Sequence, residues 1–396
     1  MHGLIDQEVA AARMQRLLKV IADSGRSFDT ILIVDKINQF YFTGTMQDAL
    51  LVIRANGTYG YFVRRSYERA AAESGLCNIQ PMNSYRDLLK YLPPDLGNVL
   101  LEASIMPLAM LQRLQRVFSL GKIDSVESYI MKLRMIKDFD ELALISAAGE
   151  AQNRLLREIV PTLMREGMSE AELMADVYAA MIRGGHHGVS RFSMFQLDMV
   201  AGQLGFGENA LYPTCFDGPG GMLGMSPAVP AVGSRDRLLK RGDLVFLDIG
   251  FGIDGYHSDK TQVYSFGSSP SDEVVSVHTA CINILDKVAA RLRPGEVPAE
   301  IYADIMADLP SELSENFMGM GAGQVKFLGH GVGLQIDEPP VLANGFTEPL
   351  AANMVLAVEP KRGIAGIGMT GVEETFIVTE ESPRCITGGA CDIIRV

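Results

Sequence analysis

The stretch Leu244 to Phe266, LVFLDIGFGIDGYHSDKTQVYSF, constrains this chain more than any other. It predicts two strands joined by a glycine-flanked turn, with Asp248 on one arm and Asp259 on the other. Side chains alternate faces along a strand, so the position of the turn decides how the two carboxylates meet. A turn at Ile253-Asp254 sets Asp248 directly opposite Asp259. A turn at Asp254-Gly255, the stronger hairpin dipeptide, makes them diagonal neighbours. Either register leaves both on one face, within reach of a shared ligand. Two acids beside Val245, Leu247 and Ile249 are costly unless something positive lies between them, which is a first pointer to a metal ion.

The same logic recurs further on. MVLAVEP and GVEETFIVT read as strands around the glycine-rich loop RGIAGIG, with Glu359 and Glu373 mirrored about Gly366. Between the hairpins lies GHGVGLQIDEPP, where Gly329, Gly331 and Gly333 allow close backbone approach and His330 supplies a strong nitrogen donor. Four carboxylates with one neutral imidazole would be balanced by two divalent cations. Without cations, each carboxylate pair at about 4 Å would repel by roughly 4 kcal/mol at an effective dielectric of about 20. Oxygen-rich ligands with one histidine suit manganese, cobalt, iron or zinc in a two-metal site, rather than a structural Cys-type zinc site.

The rest of the chain sets the context. Its 396 residues, 47% hydrophobic, allow two domains, and its net charge of −13 disfavours nucleic acid and anionic membranes as partners. The five cysteines show no CxxC or zinc-finger spacing, which points to reduced thiols. With no apparent signal peptide and no run of about 18 apolar residues, the expected location is the cytoplasm.

In chain order, the apolar spacing predicts a helix over 7–24, a strand over 30–34 and a hairpin of 50–54 with 58–63 about Asn56-Gly57. A helix over 66–74, a strand over 98–101 and a helix over 107–118 follow. The pattern weakens from Gly121 to Lys137, a candidate domain boundary. Asp138 with Glu141 and Ser169 with Glu172 read as capping boxes of two helices. Further helices are expected over 271–293 and 298–309, and a strand segment near 324–336. The fold class is α+β, with antiparallel hairpins covered by helices and a smaller α/β domain in front. GQLGFG, 202–207, lacks the Lys-Ser/Thr of a phosphate loop and reads as an ordinary loop. His186 and His187 read as a solvated loop.

These segments resemble the pita-bread metallohydrolases: creatinase, prolidase, aminopeptidase P and methionine aminopeptidase. The matching residues are Asp248 in LDIG, Asp259 in GYHSDKT, His330 in GHGVG, Glu359 in AVEP and Glu373 in GVEET. RMIKDFDE, 134–141, is similar to the opening of the family's catalytic domain, and INQFYFTGT to its creatinase-type N-terminal domain. The resemblance implies an N-terminal domain over 1–128 and a catalytic pita-bread domain over 129–396. It also implies two divalent metal ions on Asp248, Asp259, His330, Glu359 and Glu373, with Glu359 helping to take a proton from water. The implied activity is hydrolysis of small peptides or amides, of Xaa-Pro type, by a homodimer.

The chain departs from the family at Thr214 and Asp337, where histidines are usual, and at Gln262, where arginine is frequent. Asp337, Thr214 and His257 are therefore the expected substrate contacts, with Asp337 also a candidate proton carrier. The changed neighbours keep two alternatives in view, a creatinase-like C–N hydrolase or lyase acting on a small non-peptide substrate, and a non-catalytic binding module.

Overall fold

A computed structural model describes residues 5–194, 197, 199–389 and 392–396. The chain divides into two compact units, Met1–Arg134 and Met135–Val396.

The first unit is a six-stranded sheet with helices. Its elements are α1 (Gln7–Asp23), β1 (Thr30–Ile33), α2 (Lys36–Thr43), β2 (Ala49–Arg54), β3 (Tyr59–Val63), α3 (Tyr67–Glu73), β4 (Ile79–Pro81), β5 (Val99–Leu101), α4 (Leu108–Gln115) and β6 (Ile123–Ser125), with α5 (Glu127–Met135) reaching the division. The strand order is β4-β3-β2-β1-β5-β6. Asp6 caps α1 by accepting the Val9 N–H, and the Asn56-Gly57 turn joins β2 to β3 as its dipeptide predicts. α2 was passed over in the sequence, yet Asp35 caps it and Gly44 ends it in the left-handed conformation.

The second unit begins with α6 (Phe139–Arg154), continued by a π-helical turn over Leu155–Ile159 into α7 (Val160–Leu163), and then α8 (Glu170–Arg183). Both capping boxes form. There follow β7 (Gly202–Phe206), β8 (Leu244–Ile253), β9 (Tyr256–Ser265), α9 (Asp272–Ala289), α10 (Pro298–Ala307), β10 (Phe327–Gly331), β11 (Glu338–Ala343), β12 (Val355–Val358), β13 (Lys361–Ile364), β14 (Gly368–Gly371), β15 (Glu374–Ile377), β16 (Arg384–Cys385) and β17 (Ile394–Arg395). They form a four-stranded sheet β17-β9-β8-β7, a five-stranded sheet β11-β10-β12-β15-β16 and a two-stranded ribbon β13-β14.

β8 shows why helices cover these sheets. Val245, Leu247 and Ile249 pack with Leu204 and Phe206 of β7 against α6 and α8, while Phe246, two residues before Asp248, joins the core under α9 and α10. GQLGFG is therefore strand β7 and not a loop, because Leu204 and Phe206 have a core to fill. Among the described residues no helix is long and apolar enough to cross a membrane. Cys77, Cys215, Cys281 and Cys385 are free thiols, and Cys391 lies outside the described residues.

The two acidic hairpins differ in construction. In the first, Asp248 pairs with Thr261 and Gly250 with Asp259, so the turn is Asp254-Gly255, both at positive φ, and the aspartates are diagonal. The second keeps the mirror about Gly366 but breaks in two. Val358 pairs with Glu374 in one sheet, whereas Lys361 pairs with Gly371 in the ribbon. Pro360 has no N–H for an unbroken ladder, and the Glu359 N–H turns instead to the Leu328 carbonyl on the neighbouring strand. Glu359 and Glu373 thus sit where the chain passes between sheets.

His330 is held by close pairing of β10 with β12, where it faces Ala357. A Cβ added at Gly329 would lie 2.1 Å from the Ala357 carbonyl oxygen. Gly329→Ala is expected to pry β10 from β12 and lower stability by about 3 kcal/mol, measured by urea denaturation.

Candidate metal centre

The two hairpins and β10 bring the five predicted ligands together. β8 and β9 present Asp248 and Asp259 on one face, β10 presents His330, and the breaks in the second hairpin present Glu359 and Glu373. An isolated bridge between Thr261 and Glu373 joins the hairpins, and the Thr261 hydroxyl donates to Glu373 Oε2 at 2.8 Å. All five side chains are nearly buried. His330 Nε2 lies 3.3 Å from Glu359 Oε1 and 4.0 Å from Asp259 Oδ2.

A sixth residue, which the sequence reading passed over, completes the cluster. The Lys361 ammonium donates to Asp248 Oδ2 at 2.9 Å, Glu359 Oε2 at 2.7 Å and Glu373 Oε2 at 2.9 Å. Its side chain has 0% exposure. A lysine has three N–H donors, and here each meets a carboxylate. The signal was present in AVEPK, since Lys361 lies two residues beyond Glu359 and extended backbone puts such residues on one face.

Burial and crowding shape the charges. Burial pushes the Asp248 carboxyl up to about 7, with Lys361 opposing and Glu373 assisting. Burial, then Glu373 and Asp248, holds Asp259 well above the usual carboxylate range. For His330, burial opposes the charge, but the Glu359 hydrogen bond and the surrounding carboxylates outweigh it and lift the imidazole to about 10. Lys361 follows the same balance, with burial overcome by Asp248, Glu359 and Glu373. The cluster attracts positive charge wherever it can be found.

Among the described residues, two groups of donor atoms lie mutually within 4.8 Å: Asp259, His330 and Glu373, and Asp248, Glu359 and Glu373. The first, with Glu359 Oε1 beside the imidazole, offers the oxygen and nitrogen donors that suit a divalent cation. The second encloses the lysine ammonium. Either group has donors that suit a cation, and in this structure the second already surrounds the Lys361 ammonium.

The cluster floors a cavity of about 250 Å³. Asp337 lies in its wall and accepts the Ser193 N–H through Oδ1 at 2.6 Å and the Ser193 hydroxyl through Oδ2 at 2.7 Å. Burial raises its carboxyl, against the pull of those bonds. Gln203, paired with Asp248 across β7 and β8, also lines the cavity. It is 1% exposed, and neither its carboxamide oxygen nor its nitrogen has a hydrogen-bond partner. Sequence reading missed it because GQLGFG was not read as a strand.

Other expected contacts fall elsewhere. His257 does share the strand face of Asp259, but it is fully buried and is not among the described cavity-lining residues. Its Nδ1 meets the Gly333 carbonyl at 3.1 Å and its Nε2 accepts the Arg191 N–H at 3.3 Å, so both ring nitrogens are engaged by backbone. His186 is buried and His187 half-buried, so the pair is not a freely solvated loop. They stack at 5.2 Å, His187 lies edge-on to His257 at 4.8 Å, and burial lowers all three imidazoles, keeping them neutral. Thr214 is also outside the cavity lining, and its hydroxyl accepts the Phe216 N–H. Gln262 faces away from the cluster, donating to the Val263 and Asp392 carbonyls.

Comparison with known proteins places this geometry. Residues 143–380 match the metallopeptidase family M24, and residues 13–136 match the creatinase/prolidase N-terminal domain. The chain belongs to the metallopeptidase family M24. Members of M24 are metal-dependent, in keeping with the acidic and histidine groups above. The Xaa-Pro dipeptidase of Pyrococcus furiosus is 23% identical over 379 residues, covering 95% of this chain and 97% of the relative. An uncharacterized peptidase of Staphylococcus aureus is 24% identical over 381 residues, covering 94% of this chain and 99% of the relative. The Xaa-Pro dipeptidase structure from Bacillus anthracis superposes with a TM-score of 0.78 at 22% identity, covering 98% of this chain and 100% of that one. An X-Pro aminopeptidase from Thermotoga maritima gives 0.75 at 24%, covering 97% and 99%. These likenesses establish the fold, a creatinase-type α/β domain followed by a pita-bread domain.

The bonding of His257 makes its role testable. His257→Phe strands the Arg191 N–H, so stability is expected to fall by about 2 kcal/mol in urea denaturation, with the affinity of the cluster for manganese unchanged.

Proposed function

We propose that this M24 protein is a metal-dependent hydrolase of short peptides, of Xaa-Pro type. The observation that carries the reading is the set Asp259, His330, Glu359 and Glu373 converging on the floor of a cavity. A divalent cation bound there would act as a Lewis acid on the scissile carbonyl and make water a better nucleophile. The chain's own groups supply the rest. Glu359 Oε1, facing His330 and the cavity, takes a proton from the attacking water. Asp337, oriented by Ser193, faces the cavity as an acceptor and meets the substrate's amine. Phe192 and Phe216, edge-on at 5.3 Å, give the wall the apolar surface that a proline ring requires.

The names of the dipeptidase and aminopeptidase relatives favour the same substrate class. The test is hydrolysis of Xaa-Pro dipeptides and short peptides by protein supplied in turn with manganese, cobalt, iron and zinc. Turnover that EDTA abolishes and metal restores is expected. No metal by elemental analysis, together with no hydrolysis under any of these metals, overturns the proposal. Small non-peptide amides belong in the same screen, since His330 is the one histidine among the described cavity-lining residues. Their turnover in place of peptides would favour the creatinase-like alternative.

Gln203 supports a peptide reading in its own way. A buried carboxamide with both ends unpartnered offers the donor and acceptor complement of a peptide group. Gln203→Leu is expected to raise KM for a dipeptide about tenfold while kcat changes little, measured by steady-state kinetics.

A further inference from the structure

We propose that Lys361 is a built-in replacement for one of the two cations of the expected site, so that this chain binds a single divalent ion. That ion would sit among Asp259, His330, Glu359 and Glu373. The inference rests on the reading of this cluster as a metal centre, but not on a peptide being the substrate.

The geometry argues for a resident lysine rather than a transient guest. Its three hydrogen bonds, 2.7–2.9 Å long, use every ammonium proton on the three carboxylates that form the second donor group. The backbone that carries it is closely packed. Lys361 pairs with Gly371 across the ribbon, and a Cβ at that glycine would lie 2.5 Å from Lys361 Cα and 3.0 Å from its Cγ. The glycine therefore lets the ribbon strands approach closely beside Lys361. On the other side, Nζ lies 5.9 Å from the centre of the Phe246 ring. Lys361 is fully buried and is not among the described cavity-lining residues.

Glu359 divides the cluster. Its Oε2 accepts from Lys361 while its Oε1 faces His330. One carboxylate therefore serves the built-in cation on one side and remains available to an added ion on the other. A second added ion at Asp248 would have to evict a buried ammonium from its three partners. Lys361 touches neither cavity nor substrate, and acts as a positioning residue through Asp248, Glu359 and Glu373.

The test is titration of metal-free full-length protein with manganese(II), read by calorimetry and by electron paramagnetic resonance. Wild type is expected to take up about one equivalent and to give the six-line spectrum of an isolated ion. Lys361→Ala and Lys361→Ser are expected to take up about two, with the exchange-coupled spectrum of ions about 3.5–4 Å apart. Circular dichroism establishes that the variants are folded. Two coupled ions in wild type would overturn the inference, as would a folded variant that still binds one, or a wild type that binds none. Should both variants misfold, the wild-type count decides by itself. Peptide assays on the same samples separate the two proposals: one bound ion without turnover removes the peptidase reading and leaves Lys361 in its role, whereas two ions with turnover do the reverse.

Discussion

The ion cluster around the Lys361 ammonium is the interaction on which the second unit depends. Asp248 comes from β8, Glu359 and Glu373 from the breaks in the second hairpin, and each is nearly buried. Placing such charges beneath a sheet costs several kcal/mol per ion in lost hydration, and breaking a buried pair by removing one partner costs about 3–5 kcal/mol. The lysine offsets that by pairing with all of them at once. Because its partners lie on both hairpins, the lysine also fixes how the first hairpin meets the second.

The sheets are built to make that meeting possible. A continuous second hairpin would carry Glu359 and Glu373 along one ladder. Pro360 interrupts the ladder, the chain passes from the five-stranded sheet to the ribbon, and the glutamates turn toward β8 and β9 at the break. The Thr261–Glu373 bridge then closes the two hairpins on each other. Helices α6 and α8 cover one face of the first hairpin and α9 and α10 lie over the other core, so the acidic face is enclosed by apolar packing that strengthens every charge within it.

The groups around the cluster divide by their bonding. His186, His187 and His257 are neutral, packed ring against ring, and tied to backbone groups of the Gly252–Gly255 and Gly333 segments. They brace the turn of the first hairpin. Asp337 and Gln203, by contrast, line the cavity, one oriented by Ser193 and the other with an unpartnered carboxamide. Residue type and proximity in sequence did not separate these two sets. His257 lies on the same strand face as Asp259, yet Gly333 and Arg191 close over it. A buried imidazole whose nitrogens both meet backbone has no donor or acceptor left for a substrate.

Local signals in the sequence determined a great deal. Period-two alternation put Asp248 with Asp259, and the Asp254-Gly255 dipeptide favoured the register that forms, because both positions need positive φ. The mirror about Gly366 held through both halves of the broken hairpin, and the capping boxes at Asp138 and Ser169 marked two helix starts by their own hydrogen bonds. The tertiary structure decided what depends on contacts between distant segments. It made GQLGFG a strand because a core waited for Leu204 and Phe206, and it turned three histidines into packing. It also brought Lys361 under Asp248, 113 residues away in the chain. Charge counting along the sequence found four acids and called for metal; only the folded chain shows a lysine ammonium set among three of them.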